Sequence, residues 1–368
     1  MTDVDVVILH PEAPVDARPL TRALSTARRA LADRHVAGFL HAGATRARVV
    51  AGPPDDRPFG ARLREIVGDT GRGGLVVLGS GAIPRATGED RRAFVAAAAA
   101  DVPGALANNR YSADIVAVSC ARDVLATVPP TLPSDNALPR WLADVARVPV
   151  ADRNGNARLA IDIDGPLELV LLGGRWADAL PEGATARVEA VLAGLRRVAR
   201  DSRAELFVAG RLSSRELAWL ERRTASRTRA LTEERGLRTA LSGQRPPRST
   251  LGLLLDRVGP GGLGDIVAEL GDGALIDSRV LLAHRLGPDE RRWPVAEDRY
   301  ASDLLDHEAI DDPWLRELTR AASEAPVPVL LGGHTLVGPG LRLALRPRAR
   351  ASAPSGPGAS NGSDARGR

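Results

Sequence analysis

Short apolar runs alternate along the chain with segments whose apolar residues recur every three or four positions. A run of four to eight apolar residues is typical of a buried strand, and the wider spacing is typical of an amphipathic helix. The runs predict strands at residues 4–9, 36–41, 49–51, 74–79, 113–119, 205–209 and 327–331. The helical spacing predicts helices at residues 19–33, 59–67, 88–100, 141–147, 184–200, 214–223 and 313–323. Because strands alternate with helices, we expect an α/β fold with a mainly parallel central sheet.

One stretch, residues 158–172, combines acidic residues with a break in the pattern. An apolar run at 159–163, predicted to be a strand, contains Asp162 and is followed by Asp164. Gly165 and Pro166 end that strand, and proline suits the first turn of the helix that follows. Two carboxylates near a strand end and a helix N-terminus suit a bound cation or phosphate. Alternatively, Asp164 simply caps the helix, and the sequence leaves both interpretations open.

A second group of polar residues precedes the predicted strand at 113–119. It consists of Asn108, Asn109, Arg110, Ser112 and Asp114. The Arg110 guanidinium and the Ser112 hydroxyl are suited to a phosphorylated substrate. The alternative is a loop in which the asparagine side chains bond their own backbone.

The amino-acid composition excludes several kinds of functional site. All 50 basic residues among the 368 are arginine, which excludes a P-loop lysine and a Schiff-base lysine. The formal net charge is +4 and aromatic residues make up 3 %, so we expect no nucleic-acid partner. The single cysteine, Cys120, excludes an internal disulfide and a cysteine-based zinc site, and no two histidines have HxxxH spacing. No apolar run reaches the ~18 residues of a membrane span and the N-terminus lacks a signal-peptide pattern, so we expect a cytoplasmic protein without a membrane partner.

The pattern divides the chain into three regions. Residues 1–175 are predicted to form one α/β domain, and residues 176–345 an α/β extension of unknown role. Residues 346–368 are rich in Arg, Pro, Ser and Gly without periodicity, so we expect a disordered tail. In the extension, the glycine-rich stretch 259–264 is either a flexible connection or a phosphate cradle. His334, after the last predicted strand, is either structural or a ligand-binding residue.

The acidic stretch is similar to a motif of one enzyme family. Starting at Asp162 it reads Asp-Ile-Asp-Gly-Pro-Leu-Glu-Leu. This resembles the D-[IV]-D-T-P-E-D-L signature of nucleotidyltransferases with the glycosyltransferase-A-type fold, which include the molybdenum-cofactor and phospholactate guanylyltransferases. Gly165 replaces the threonine of that signature, and Leu167-Glu168 replaces its Glu-Asp pair. The resemblance covers roughly residues 1–175.

Two other family motifs are altered in this chain. Residues 75–84 resemble the V-x-G-D-x-P strand end of these enzymes, in which an aspartate holds Mg²⁺, but Ala82 stands at the position of that aspartate. The family's glycine-rich loop with its lysine has no counterpart after the first strand. Arg18 lies in the segment that replaces it and could receive phosphates instead.

The resemblance implies a nucleotidyltransferase-like domain with a glycosyltransferase-A-like sheet. The expected reaction transfers a nucleotidyl group from an NTP to a small phosphorylated or sugar-like acceptor, with Mg²⁺ as cofactor. Asp162 and Asp164 are the expected catalytic and metal-binding residues, and the expected substrate-binding residues are Arg18, Asn108, Asn109, Arg110, Ser112 and Asp114. Two alternatives are a catalytically degenerate relative that binds a nucleotide or a partner protein, and a glycosyltransferase that uses a nucleotide-sugar.

Overall fold

Two sheets with helices packed against them form the protein, which was analysed as a computed structural model. The structure describes residues 2–55, 57–69, 73–237 and 245–346. Both sheets are mainly parallel, so the predicted α/β fold is confirmed. The predicted disordered tail, apart from Arg346, lies outside the described residues.

The first sheet has six strands in the order β2-β1-β3-β5-β4-β6. β1 pairs in parallel with β2 and β3, and β4 pairs in parallel with β6. β5 is antiparallel to both of its neighbours, β3 and β4. The six strands are β1 (Val4–Pro11), β2 (Arg46–Gly52), β3 (Gly74–Gly79), β4 (Ala105–Ala107), β5 (Ile115–Val118) and β6 (Val150–Asp152).

Helices accompany this sheet in the first half of the chain. They are α1 (Pro19–His41), α2 (Phe59–Asp69), α3 (Gly88–Ala98), α4 (Ala121–Val124), α5 (Leu138–Asp144) and α6 (Pro166–Leu172). The strand predicted at 36–41 is wrong, because α1 continues to His41. Leu31, His35 and Phe39 are all buried at a spacing of four, so the apolar residues of that segment extend the helical face.

The acidic stretch differs from its prediction in two ways. Residues 159–163 do not form a strand, and the segment makes one isolated antiparallel bridge between Asp162 and Ala82. The helix predicted after Pro166 is present as α6, and its N-cap residue is Gly165 rather than Asp164. The carboxylate of Glu168 accepts the Gly165 N–H at 2.7 Å, as in the glutamate half of a capping box.

The second sheet has four parallel strands in the order β10-β9-β7-β8. Its strands are β7 (Glu205–Gly210), β8 (Arg227–Thr232), β9 (Gly273–Asp277) and β10 (Val329–Gly332). The helices of this half are α7 (Ala186–Val198), α8 (Ser214–Arg223), α9 (Thr250–Val258), α10 (Leu263–Leu270), α11 (Ser278–Leu286), α12 (Ala296–Asp303), α13 (Pro313–Ser323), α14 (His334–Val337) and α15 (Leu341–Leu345). In the glycine-rich stretch, Gly259 ends α9 at a φ of 83° and a 3₁₀ turn leads into α10.

The hydrophobic cores show how the two halves are joined. Leu24, Ala27 and Leu31 of α1 pack in the same core as the second sheet, together with the apolar residues of α6. Ala32 and Phe39, on another face of α1, pack against the first sheet. Helix α1 therefore lies between the two sheets, and α6 packs with the second half. Among the helices of the described residues, none combines the length and the apolar character that a bilayer crossing requires.

Candidate functional site

The carboxyl ends of β1 and β3 lie side by side at one edge of the first sheet. The chain leaves β1 for β2 on one side and returns to β3 on the other, so the strand order reverses between β1 and β3. In α/β sheets, ligands bind outside the carboxyl ends of the strands at such a switch point. β5 runs in the opposite direction, so its first residues lie at this same edge.

A buried histidine and serine meet at the switch point. His10, near the end of β1, and Ser80, directly after β3, are 6 % and 2 % exposed. The His10 Nδ1 and Ser80 Oγ atoms are 3.1 Å apart. Burial lowers the pKa of His10, and the positive charges of Arg29 and Arg28 lower it further. The imidazole is therefore held in its neutral form, which can donate or accept a hydrogen bond.

Asn108 joins three segments at this edge. Its Nδ2 donates to Oδ2 of Asp114 at 2.8 Å and to the carbonyl of Leu159 at 2.9 Å. Its Oδ1 accepts the backbone N–H of Asp114 at 2.9 Å. The amide thus ties the end of β4 to the start of β5 and to the segment that carries Asp162, so Asn108 is a positioning residue.

Asp162 is fixed against the loop that follows β3. The N–H of Ile163 donates to the carbonyl of Gly81 at 3.0 Å and to Oδ1 of Asp162 at 2.9 Å. A Cβ atom on Gly81 would lie 2.8 Å from Asp162 Oδ1, so only glycine permits this approach. Asp162 therefore stands beside Ala82, the residue at the family's expected aspartate position.

Four aspartates interact electrostatically at this edge: Asp114, Asp135, Asp162 and Asp164, which we call the acidic cluster. Burial raises the pKa of Asp162 well above its usual range, and the negative charges of Asp164, Asp114 and Asp135 raise it further. Arg28 opposes this shift. The pKa is raised because desolvation and like charges both disfavour the ionised carboxyl, so a bound cation would relieve the repulsion.

Arg28, on α1, is a site residue that the sequence did not reveal. Its Nε donates to the carbonyl of Ile163 at 2.7 Å, and its guanidinium lies 3.8 Å from the carboxylate of Asp164. The Asp164 side chain is 53 % exposed, so this contact leaves it open to solvent. Arg28 has no distinguishing signal among the 50 arginines of the chain.

The backbone after β3 is strained at the same place. Ile83 has a φ of 44°, in the left-handed region that β-branched residues rarely adopt. The carbonyl of Ala82 accepts a hydrogen bond from Nε2 of His35 at 2.9 Å. Burial lowers the pKa of His35 to about 4, so this histidine is neutral and holds the loop. Strained backbone that the surroundings fix is typical of functional sites.

Five of the predicted substrate-binding residues lie in the loop between β4 and β5, and Asn109, Arg110 and Ser112 are three of them. Asn109 Oδ1 accepts the N–H of Tyr111 at 3.0 Å, which is the local backbone bonding that the alternative interpretation predicted. The Arg110 guanidinium lies 3.3 Å from Asp144, and the Ser112 hydroxyl donates to Asn136 Oδ1 at 3.2 Å. Arg110 and Ser112 therefore pack the loop against residues 136–144, whereas Asn109 bonds within the loop.

Arg18 is engaged by the second half of the chain. Its guanidinium lies 2.8 Å from Asp311 and 3.5 Å from Asp298, and it donates to the carbonyl of Ala309 at 3.1 Å. These contacts, at the N-terminus of α1, fix the two halves to each other. A phosphate-binding role for Arg18 would require it to leave them.

Mg²⁺ in nucleotide sites usually takes one or two carboxylates and completes its shell with phosphate oxygens and water. Asp162 and Asp164 fit that role as a carboxylate pair. Across residues 2–55, 57–69, 73–237 and 245–346, no group of three or more His, Cys, Asp or Glu is placed to hold a metal. The donor set thus fits a metal shared with a substrate and does not fit a metal cage built by the protein alone.

A cavity beside the acidic cluster is lined by Asp114, Asp135 and apolar residues that include Phe59. Its volume is about 10 Å³, which accommodates a single water. This cavity is therefore too small for a nucleotide.

Comparisons with known proteins add no assignment to this site. No family model matches the chain, and no curated protein sequence matches it.

Proposed function

We propose that the protein binds a nucleoside triphosphate at the carboxyl edge of β1 and β3 and transfers its nucleotidyl group to a small phosphorylated or sugar-like acceptor. The observation that carries this proposal is the position of Asp162 and Asp164. They lie at the switch point of the first sheet, and Asp114 is close enough to raise the pKa of Asp162. The N-cap residue of α6 is Gly165 rather than Asp164. The helix-capping alternative for Asp164 is thereby weakened.

The reaction is a displacement at phosphorus. An acceptor oxygen attacks the α-phosphorus of the NTP, the bond to the bridging oxygen breaks, and pyrophosphate leaves. Catalysis of such a step rests on positioning and on stabilising charge. Mg²⁺, when bound by Asp162 and Asp164, would neutralise charge on the phosphate oxygens.

The chain's own residues supply the remaining functions. Arg28, whose guanidinium lies 3.8 Å from Asp164, is placed to contact a phosphate oxygen at the same edge. The neutral His10 and the Ser80 hydroxyl offer hydrogen bonds at this edge of the sheet. Asn108 and His35 hold the segments that carry these groups.

A catalytically degenerate, nucleotide-binding relative is the second candidate. Ala82 favours it, since alanine cannot ligate the metal that an aspartate would hold at that position. Opposing this, the residue bridged to Ala82 is Asp162, so a carboxylate is present beside the vacated position. Glycosyl transfer from a nucleotide-sugar would use the same pair of aspartates.

The test measures thermal unfolding with ATP, GTP, CTP or UTP, each with and without Mg²⁺. A ligand that binds only the folded state stabilises it by about 2.7 kcal/mol when present at 100 times its Kd. We expect stabilisation that requires Mg²⁺, and release of pyrophosphate once a phosphorylated acceptor is added.

Two variants locate the effect. Asp164→Asn should abolish the Mg²⁺-dependent stabilisation and leave the unliganded protein folded. Asp123→Asn is the matched control, because Asp123 is an exposed aspartate in α4, beyond the opposite end of β5. It should bind as the wild type does.

Other outcomes discriminate the alternatives. Stabilisation by an NTP that does not depend on Mg²⁺ would favour the degenerate relative. Stabilisation by nucleotide-sugars alone would favour glycosyl transfer. If no NTP or nucleotide-sugar changes the unfolding temperature, the proposed function is wrong.

A further inference from the structure

Helix α12, in the second half, packs against both α1 and α6. It presents Glu297, Tyr300 and Asp303 at intervals of three residues, so these side chains lie along neighbouring turns of one helix surface. The first and last of them are anchored, and their contacts fix where the middle one lies.

Glu297 anchors α12 to the N-terminus of α1. Its carboxylate accepts the backbone N–H groups of Leu20 and Thr21 at 2.8 and 2.9 Å, and the Thr21 hydroxyl at 2.7 Å. A carboxylate at this position satisfies free N–H groups and complements the helix dipole. Since α1 also carries Arg28, this contact sets the distance between α12 and the candidate site.

Asp303 anchors the other end of α12 beside the acidic stretch. It forms a bidentate pair with Arg279, with both N–O distances at 2.6 Å. One of its carboxylate oxygens would lie 3.5 Å from a Cβ atom placed on Gly165. The C-terminal turn of α12 therefore lies against the backbone that directly follows Asp164.

Tyr300 lies between these two anchors. Its Cδ1 atom would be 3.6 Å from a Cβ atom on Gly165, so the ring is at the acidic stretch. Burial raises the pKa of the Tyr300 hydroxyl; Asp164 raises it as well, whereas Arg28, Arg299 and Arg279 lower it. The phenol is thus within electrostatic range of both Arg28 and Asp164, the two charged groups on the open side of the site.

Tyr300 is partly buried, and its hydroxyl is not sealed from solvent. Within the part of the chain that the structure describes, no protein group forms a hydrogen bond with it, and it is not one of the solvent-sealed polar atoms that lack a partner. If the ring served only for packing, its hydroxyl would not be needed, because a phenylalanine would bury the same ring. A phenol within electrostatic range of Arg28 is a suitable donor to a phosphate oxygen held by that guanidinium.

We infer that Tyr300 is a substrate-contacting residue of the site at β1 and β3, and that its hydroxyl donates a hydrogen bond to a phosphate oxygen bound beside Arg28. The inference rests on the proposed function and extends it, because it makes the second half of the chain one wall of the nucleotide site. Helix α12 is that wall, held in place by Glu297 and Asp303.

The first experiment compares Tyr300→Phe with Tyr111→Phe by calorimetric titration with MgATP, MgGTP, MgCTP and MgUTP. Tyr111 is the other tyrosine of the chain and is 65 % exposed in the loop between β4 and β5, so it is a matched control. Tyr300→Phe should raise the Kd of the tightest-binding of these ligands by about tenfold, as expected when a hydrogen bond to a charged group is lost. Tyr111→Phe should leave that Kd unchanged.

The second experiment is independent of affinity. Tetranitromethane nitrates accessible tyrosines, and peptide mass spectrometry quantifies each site separately. Free protein should be nitrated at both tyrosines, and the same Mg–NTP complex should protect Tyr300 and not Tyr111.

The outcomes separate this inference from the proposed function. If the wild type binds an Mg–NTP and Tyr300→Phe binds it equally well, or if Tyr300 is not protected, the contact is wrong and the proposed function stands. A Tyr300 that resists nitration in the free protein also overturns the inference, since its hydroxyl is then inaccessible. If none of the four complexes binds the wild type, the proposed function fails and the inference fails with it.

Discussion

Acidic residues at the carboxyl edges of the two sheets have opposite electrostatic surroundings. Each sheet has a switch point, between β1 and β3 in the first and between β7 and β9 in the second. At the second, Asp277 is held by Arg211 at 2.6 and 3.1 Å. At the first, Asp162 lies among other aspartates, and the Arg28 guanidinium lies 3.8 Å from the Asp164 carboxylate.

Packing makes the second edge a closed one. Gly210, at the end of β7, has a φ of 127°, and a Cβ atom there would lie 2.3 Å from Cβ of Asp277. The Arg211–Asp277 and Arg279–Asp303 pairs are both largely buried. A buried carboxylate requires a partner of this kind, because its desolvation is otherwise uncompensated.

The difference indicates which edge is adapted to a ligand. Paired, buried acids fix the structure of the second edge, whereas at the first edge burial and neighbouring negative charges raise the pKa of Asp162. Residues that oppose stability are characteristic of sites where an external group supplies the missing interaction. The comparison therefore supports the proposal of a ligand site at the first edge and a structural role for the second.

The largest effect is expected from opening the closed edge. Arg279→Met leaves Asp303 buried without its cation, which should lower the free energy of unfolding by about 3–5 kcal/mol. Arg187→Met is the matched control, because Arg187 pairs with Asp306 at 2.7 Å but both side chains are exposed. Its effect should stay below about 1 kcal/mol. Urea denaturation measures both, and equal effects would contradict the structural role of the closed edge.

Glu168 connects the two edges and should make stability depend on pH. Burial raises its pKa from the usual 4.5 to about 8, and Asp164 and Asp303 contribute in the same direction. Between these values the folded chain holds a proton that the unfolded chain has released. The free energy of unfolding should therefore fall as pH rises from about 5 to 8, by at most about 1.4 kcal/mol per unit, and level off above that range.

Glu168→Gln tests this assignment, because glutamine keeps an oxygen for the Gly165 N–H and cannot ionise. Urea denaturation between pH 5 and 8 should show a shallower decline for this variant than for the wild type. Glu221→Gln, at an exposed position on α8, should follow the wild type. If Glu168→Gln also follows the wild type, Glu168 is not the group that titrates.

Local sequence signals predicted most elements of the fold. The apolar run predicted at 74–79 and the helix predicted at 313–323 were confirmed as β3 and α13. The C-terminal turns of α1 were misjudged as a strand, because a short apolar run does not distinguish a strand from a buried helix face. The order of the strands and the location of α1 between two sheets depend on tertiary packing, which the periodicity does not encode.

The candidate site was only partly predictable for the same reason. Asp162, Asp164, Asp114 and Asn108 were identified because they lie near apolar runs, and the structure places them at one edge. Arg28 comes from a distant helix, so only the folded chain brings it to Asp164. Glu168 did have a signal, since glutamate three residues after Gly165 is the capping-box spacing. Arg18 was expected to meet phosphates, but the aspartates that bind it lie about 290 residues away in the chain.

The smallest expected change in stability comes from replacing Asp162, and whether it is a gain or a loss is informative. Asp162→Asn removes a charge from the acidic cluster, and asparagine keeps an oxygen for the N–H of Ile163. The unliganded protein should therefore become more stable by about 1 kcal/mol, as is common when a destabilising functional residue is replaced. Asp277→Asn at the closed edge should instead destabilise the protein, since it leaves the buried Arg211 without its carboxylate. Urea denaturation at pH 7 measures the change in the free energy of unfolding for both variants. Changes of opposite sign would support distinct roles for the two edges. A loss of stability in both variants would instead indicate that Asp162 is also a structural residue.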